Sequence, residues 1–150
     1  MANNYAETMT QELAIADKLD PASNGVATYN TVGIDMQKFG RALYELQLGA
    51  FGTGTLAVQL QSAAASGFGT PHNIGAVINL TSANNNTRVT IEVLDEYVQT
   101  QNPGDRYVRL NIVVGTAAVI FGVTGWGGCG DQSPGNAANI ASVGSQVVNQ

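Results

Sequence analysis

Hydrophobic and polar positions alternate along this chain in short runs. Arg41 to Leu48 reads Arg-Ala-Leu-Tyr-Glu-Leu-Gln-Leu, and Leu56 to Gln61 reads Leu-Ala-Val-Gln-Leu-Gln. From Arg88 to Leu94, Val89, Ile91 and Val93 alternate with Thr90 and Glu92. From Tyr107 to Val114, Val108, Leu110, Ile112 and Val114 alternate with Arg109, Asn111 and Val113. A period of two sends successive side chains to opposite faces, so each run predicts a strand with one buried and one polar face. The runs 41–48 and 55–61, joined by Gly49-Ala50-Phe51-Gly52-Thr53-Gly54, predict a hairpin. Val26 to Ile34 and Ile74 to Leu80 supply two more strands. Ala118 to Gly125 is almost continuously apolar and predicts a strand buried on both faces or at an interface. About seven or eight short strands separated by Gly-rich turns, without helical blocks between them, predict an all-β fold, an antiparallel β-sandwich or jelly roll.

The two ends read differently from the middle. Asn3 to Thr10 is polar, and Glu12 to Asp17 places Leu13 and Ile15 on one side of an extended piece. Ala6, Met9, Leu13 and Ala16 also fit helical spacing, but the strand-like remainder of the chain favours the extended reading. Asp20-Pro21-Ala22-Ser23-Asn24-Gly25 is turn chemistry and ends either element. From Gly127 to Gln150 the chain is rich in Gly, Ser, Asn and Gln, either a mobile arm or one ordered by a partner. The expected division is an extended N-terminal arm and turn (1–28), a β-sandwich domain (29–126) and a Gly/Asn-rich C-terminal tail (127–150). Asp95 to Asp105 is expected as a polar crossover.

Composition narrows the function classes. The 150 residues are 44% hydrophobic but only 11% charged, against about 25% charged in typical soluble domains. The surface must then be largely neutral amides, hydroxyls and small residues, which cost less to desolvate than ions and suit packing against neighbours. Net charge is −5, and the six cations, Lys18, Lys38, Arg41, Arg88, Arg106 and Arg109, are scattered. Phosphate binding needs clustered cations, so no direct nucleic-acid contact is expected. The apolar stretch around Ala117 to Val123 is too short to cross a bilayer, so no membrane partner is expected. The N-terminus lacks a basic region followed by an apolar core, and synthesis in a cytoplasm is expected.

Reactive groups are sparse. Cys129 stands alone between glycines, with no cation near it to activate a thiolate. His72 lies in a small-residue loop without further ligands at metal spacing. Asp95-Glu96 is the one adjacent carboxylate pair and reads as a solvated strand end. Ser, His and Asp all occur, but no serine sits in a Gly-x-Ser-x-Gly elbow. Gly125-Trp126-Gly127-Gly128-Cys129-Gly130 follows a strand without opening a helix, so it is not a phosphate loop. No catalysis, cofactor or metal is expected. Trp126 is a contact candidate, because tryptophan is enriched at interface centres, though it is also common at the edge of a β core. Tyr5 has a similar claim, since an aromatic in a polar arm has little to pack on except a partner. Asn3, Asn4, Tyr5, Leu13, Ile15 and Trp126 are the expected contacts with a capsid or a second subunit.

Two blocks carry a family resemblance. Asp35-Met36-Gln37-Lys38-Phe39 with Leu46-Gln47-Leu48-Gly49-Ala50 is one, and Arg106 to Ala118 (Arg-Tyr-Val-Arg-Leu-Asn-Ile-Val-Val-Gly-Thr-Ala-Ala) is the other. With the Met-Ala-Asn-Asn-Tyr start they resemble the head decoration, or cement, proteins of tailed bacteriophages, over residues 30–125. The resemblance implies a β-rich virion protein on the outer surface of the capsid. It would bind the major capsid protein across capsomer boundaries as a homotrimer and so stabilise the shell. The end of the chain departs from that family, where the second block leads into a Gly-Asp-Ala-Arg-Tyr-like finish. Two other classes fit the composition less well: a carbohydrate-binding jelly-roll module, which wants exposed aromatics or a calcium site, and a phage tail or fibre component.

Overall fold

The computed structural model describes residues 13–128. Nine strands follow in order: β1 (Leu13–Asn24), β2 (Thr28–Asn30), β3 (Ile34–Asp35), β4 (Arg41–Leu48), β5 (Thr55–Ala63), β6 (His72–Leu80), β7 (Arg88–Leu94), β8 (Tyr107–Gly115) and β9 (Val119–Gly128). One short helix, α1 (Asp95–Gln101), and a 3-10 turn (Ser82–Asn84) interrupt them. The strands form two antiparallel sheets, one ordered β1-β9-β4-β7 and the other β2-β8-β5-β6, with β3 also against β8. The period-two pattern explains the packing. Tyr44, Leu46, Val58, Leu110, Ile112 and Phe121 point between the sheets and are almost wholly buried, while Arg41, Gln47, Arg88 and Glu92 point out.

The strand pairs are nested. β5 pairs with β6, β4 with β7, β2 with β8 and β1 with β9, and successive pairs fall in alternate sheets. That is one long hairpin rolled over itself, the jelly-roll arrangement of the β-sandwich class. β2 and β3 lie along the same strand, at Asn111 to Val113 and at Tyr107 to Val108, and so form one edge interrupted at residues 31–33.

Three sequence expectations change. Residues 41–48 and 55–61 are not a hairpin: β4 lies in one sheet and β5 in the other, and the Gly49–Gly54 connection crosses the core. Phe51 in that connection is buried, which pins the crossing from inside. The polar crossover after Leu94 contains α1, with Asp95 and Glu96 in its first turn, where carboxylates complement the helix dipole. Its one buried residue is Val98. Residues 13–24, expected as arm and turn, form an outer strand of the four-stranded sheet, and Gly127 and Gly128 belong to β9.

Candidate functional site

The outer face of the four-stranded sheet carries an apolar row at one corner. Ile15 on β1 is the direct cross-strand partner of Trp126 on β9, and Trp126 is in turn the partner of Leu43 on β4. Leu43 opposes Glu92 on β7. Leu13, one pleat nearer the chain end, opposes Gly128, which opposes Arg41. Leu13, Ile15, Leu43 and Trp126 are all half-buried. Directly opposed apolar side chains on a sheet touch across about 5 Å, so these four make one aromatic-aliphatic patch flanked by Arg41 and Glu92.

Glycine builds this patch from beneath. β9 alternates Trp126 outward with Gly125 and Gly127 inward. A Cβ on Gly127 would overlap the ring of Phe39, a buried core residue. The inner glycine lets Phe39 lie flat against β9 while Trp126 stands on the other side. Gly128, on the outer face, is covered by the side chain of Arg41, into which a Cβ would run.

Of the expected contact residues, the structure brings Leu13, Ile15 and Trp126 together. Asn3, Asn4 and Tyr5 lie outside the described residues. Leu43 completes the row and was not singled out from the sequence. Its signal was present: Arg41, Leu43, Glu45 and Gln47 share the polar face of β4, and Leu43 is the apolar member of that face.

Two buried carboxylates hold the frame. Asp17, fully buried on β1, accepts from the backbone N–H of Val32 (3.0 Å) and Gly33 (2.9 Å), and from its neighbour Lys18 (2.8 Å). The Tyr44 hydroxyl lies 3.1 Å from Asp17 Oδ2 and 2.9 Å from the Val108 carbonyl, sharing its one hydrogen between them. Burial first, and the Asp17 carboxylate second, push the Tyr44 phenol well above its ordinary range, so it stays a donor. Asp17 thereby ties the edge of one sheet to the interrupted edge strand of the other.

Asp105 makes a second cluster close by, since Ser62 is the cross-strand partner of Val108. Its Oδ2 accepts from Ser62 Oγ (2.6 Å) and lies 2.8 Å from His72 Nδ1, while Asn102 donates to Ser62 Oγ (3.2 Å). Ser, His and Asp are therefore adjacent, but in the wrong order for acyl transfer. The serine donates to the carboxylate, whereas an activated serine donates to a histidine that stands between the two. Ser62 is also wholly buried. Among the described residues no three His, Cys, Asp or Glu side chains converge as a metal site. No helix there is long and apolar enough to cross a membrane.

Three arginines are individually engaged. Arg106 pairs with Asp35 through Nε at 2.7 Å and its terminal nitrogen, and this pair holds the Asp35 carboxyl below its usual range. Arg109 lies 4.4 Å over the Phe68 ring and donates to Gln61 (3.0 Å), and burial lowers its basicity. Arg88 pairs with Glu45 at 2.9 Å.

No protein-family model and no curated protein matches the chain, so the decoration-family resemblance has no counterpart there. Among solved structures the chain is similar to the crystal structure of PBSX exported protein XepA, with a TM-score of 0.57 and 12% identity. That alignment covers 97% of this chain and 44% of the other, so the chain spans less than half the length of that protein. At this identity the likeness is one of fold.

Proposed function

We propose that this protein is a structural component of a tailed-phage particle. In this reading it is seated on the outer surface of the capsid, where it contacts the major capsid protein and reinforces the shell, without catalysis or direct nucleic-acid contact. One observation carries the reading. The patch Leu13, Ile15, Leu43 and Trp126 lies at the corner where the described chain both begins and ends, since Leu13 and Gly128 are cross-strand partners. A half-buried tryptophan framed by aliphatic side chains is the kind of anchor on which interfaces concentrate their energy. Leu13 and Gly128, the two ends of the described chain, meet at this corner. The likeness to PBSX exported protein XepA supports the β-sandwich frame of this reading. Low charge suits repeated contacts. Many copies on one shell hold it through avidity even where each contact is weak.

The deciding experiment is copy number per density-purified particle, by quantitative mass spectrometry against the major capsid protein. Hundreds of copies support capsid decoration. A few copies or tens would move the protein to the tail or fibres, and absence from particles would end the virion reading.

A further inference from the structure

β7 closes neither sheet edge nor core. It is the outermost strand of the four-stranded sheet on the side away from β1, and among the described residues no strand lies beyond it. Its pairing with β4 is regular from Arg41↔Leu94 to Gln47↔Arg88, without a bulge. Proteins commonly blunt such an edge with bulges, prolines or charged side chains; β7 has no bulge and no proline, and its two exposed charges, Arg88 and Glu92, are of opposite sign. Two bonds fix which groups face outward. Leu48 N–H donates to the Thr87 carbonyl (2.9 Å) and Asp95 N–H to the Gly40 carbonyl (3.0 Å). In an antiparallel ladder the bonded residues alternate, so Val89, Ile91 and Val93 bond to β4. The backbone N–H and C=O of Arg88, Thr90, Glu92 and Leu94 point to the free edge.

We infer that this edge is completed by a second copy of the chain, β7 against β7 across a two-fold axis. The sequence of the strand selects one register. Setting Thr90 opposite its own symmetry mate places Arg88 opposite the second copy's Glu92, and Glu92 opposite the second copy's Arg88. All of these residues have edge-facing backbone groups, so the same register that pairs the charges also pairs the amides. On the inner face it sets Val89 against Ile91, two residues that are half-buried in the single chain. Moving the register by one bonded step sets Arg88 against Leu94, which leaves Arg88 with only Glu45 of its own chain (2.9 Å) and Glu92 opposite Thr90. Apolar surface is exposed beside this edge as well. Leu94 and Tyr97 are 48% and 46% exposed, and a groove of about 200 Å³ lies between β6 and β7, lined by Ile78, Ile91 and Tyr97. The pair is closed and two-fold, and stands in place of the trimer that the family resemblance implies.

The pairing makes one eight-stranded sheet whose outer face carries both Trp126 patches. From β9 to its mate there are five strand spacings, roughly 24 Å at ~4.8 Å each. If the capsid reading holds, the pair presents two anchors to one surface. The pairing itself does not depend on that reading and is tested on the free protein.

Sedimentation velocity of the full chain should give the mass of two chains. Arg88→Glu and Glu92→Arg, both on exposed positions, should each give one chain, and the double reversal should restore two. In a Cys129→Ser background, Thr90→Cys should form a disulfide-linked pair on mild oxidation. Bonded residues opposite each other lie ~5.5 Å apart at Cα, within disulfide reach. Glu92→Cys, four residues from its own mate, should not. A wild-type mass of one or three chains, or equal cross-linking of the two cysteine variants, overturns the inference.

Discussion

At the scale of single residues the fold depends on small groups placed against large ones. Gly127 is the clearest case: Phe39 occupies the space its Cβ would need, and both are fixed by the core. Gly127→Ala should destabilise the domain by about 1–3 kcal/mol, the range for overpacking a filled core, and urea denaturation measures it. A loss under about 0.5 kcal/mol would mean that Phe39 moves freely, contrary to its burial. Residue types were legible before the structure, and placement only in part. Trp126 and Ile15 stood out by type and position, and the structure makes them cross-strand neighbours. The Asp17 and Asp105 clusters were not legible. Their partners lie up to 43 positions away (Ser62 and Asp105), and no local spacing links them. The role of each carboxylate comes from the nesting of strands.

Elements tell a similar story with different causes. The alternating runs at 41–48, 88–94 and 107–114 predicted strands that the structure contains, because a period of two is a direct consequence of one buried face. Which strand pairs with which was less accessible. A six-residue Gly-rich link fits a hairpin as well as a crossing between sheets, and only the buried Phe51 distinguishes them. Helix α1 was missed because it has seven residues and one buried position, Val98, too short for a 3.6-residue period to show. At this scale the Asp35–Arg106 pair fastens β3 to the start of β8. The Asp35 carboxyl is held below its ordinary value of 3.8, chiefly by the Arg106 hydrogen bonds. A lowered folded value stabilises the protein above pH 3.8, and that stability is lost as pH falls through the lowered value. Asp35→Asn should therefore cost about 0.5–1 kcal/mol at neutral pH, and the gap to wild type should close at an acid pH below the lowered value. A gap unchanged between chemical denaturation curves at the two pH values would show that the charge of Asp35 is irrelevant.

At the scale of the whole molecule, the jelly roll separates what holds the fold from what is left to face a partner. Its core needs Tyr44, Phe121 and their neighbours, but not Trp126, whose side chain stands outside. Trp126→Ala should leave the folded domain intact by circular dichroism. If the proposed function holds, it should weaken binding to capsids lacking the protein by roughly tenfold or more, the loss expected for a central aromatic anchor. Co-sedimentation with such particles reads this directly, and unchanged occupancy would remove the corner from the contact. The nesting of strands has a mechanical side as well. β1 leaves the corner and β9 returns to it, so forces pulling Leu13 and Gly128 apart act across their ladder. They would open its hydrogen bonds one after another, like a zipper, not all together in shear. A domain loaded through its two ends in this way yields at low force. Any tension it bears in service is better carried through the broad face of the sheet, with both ends fastened to the same body.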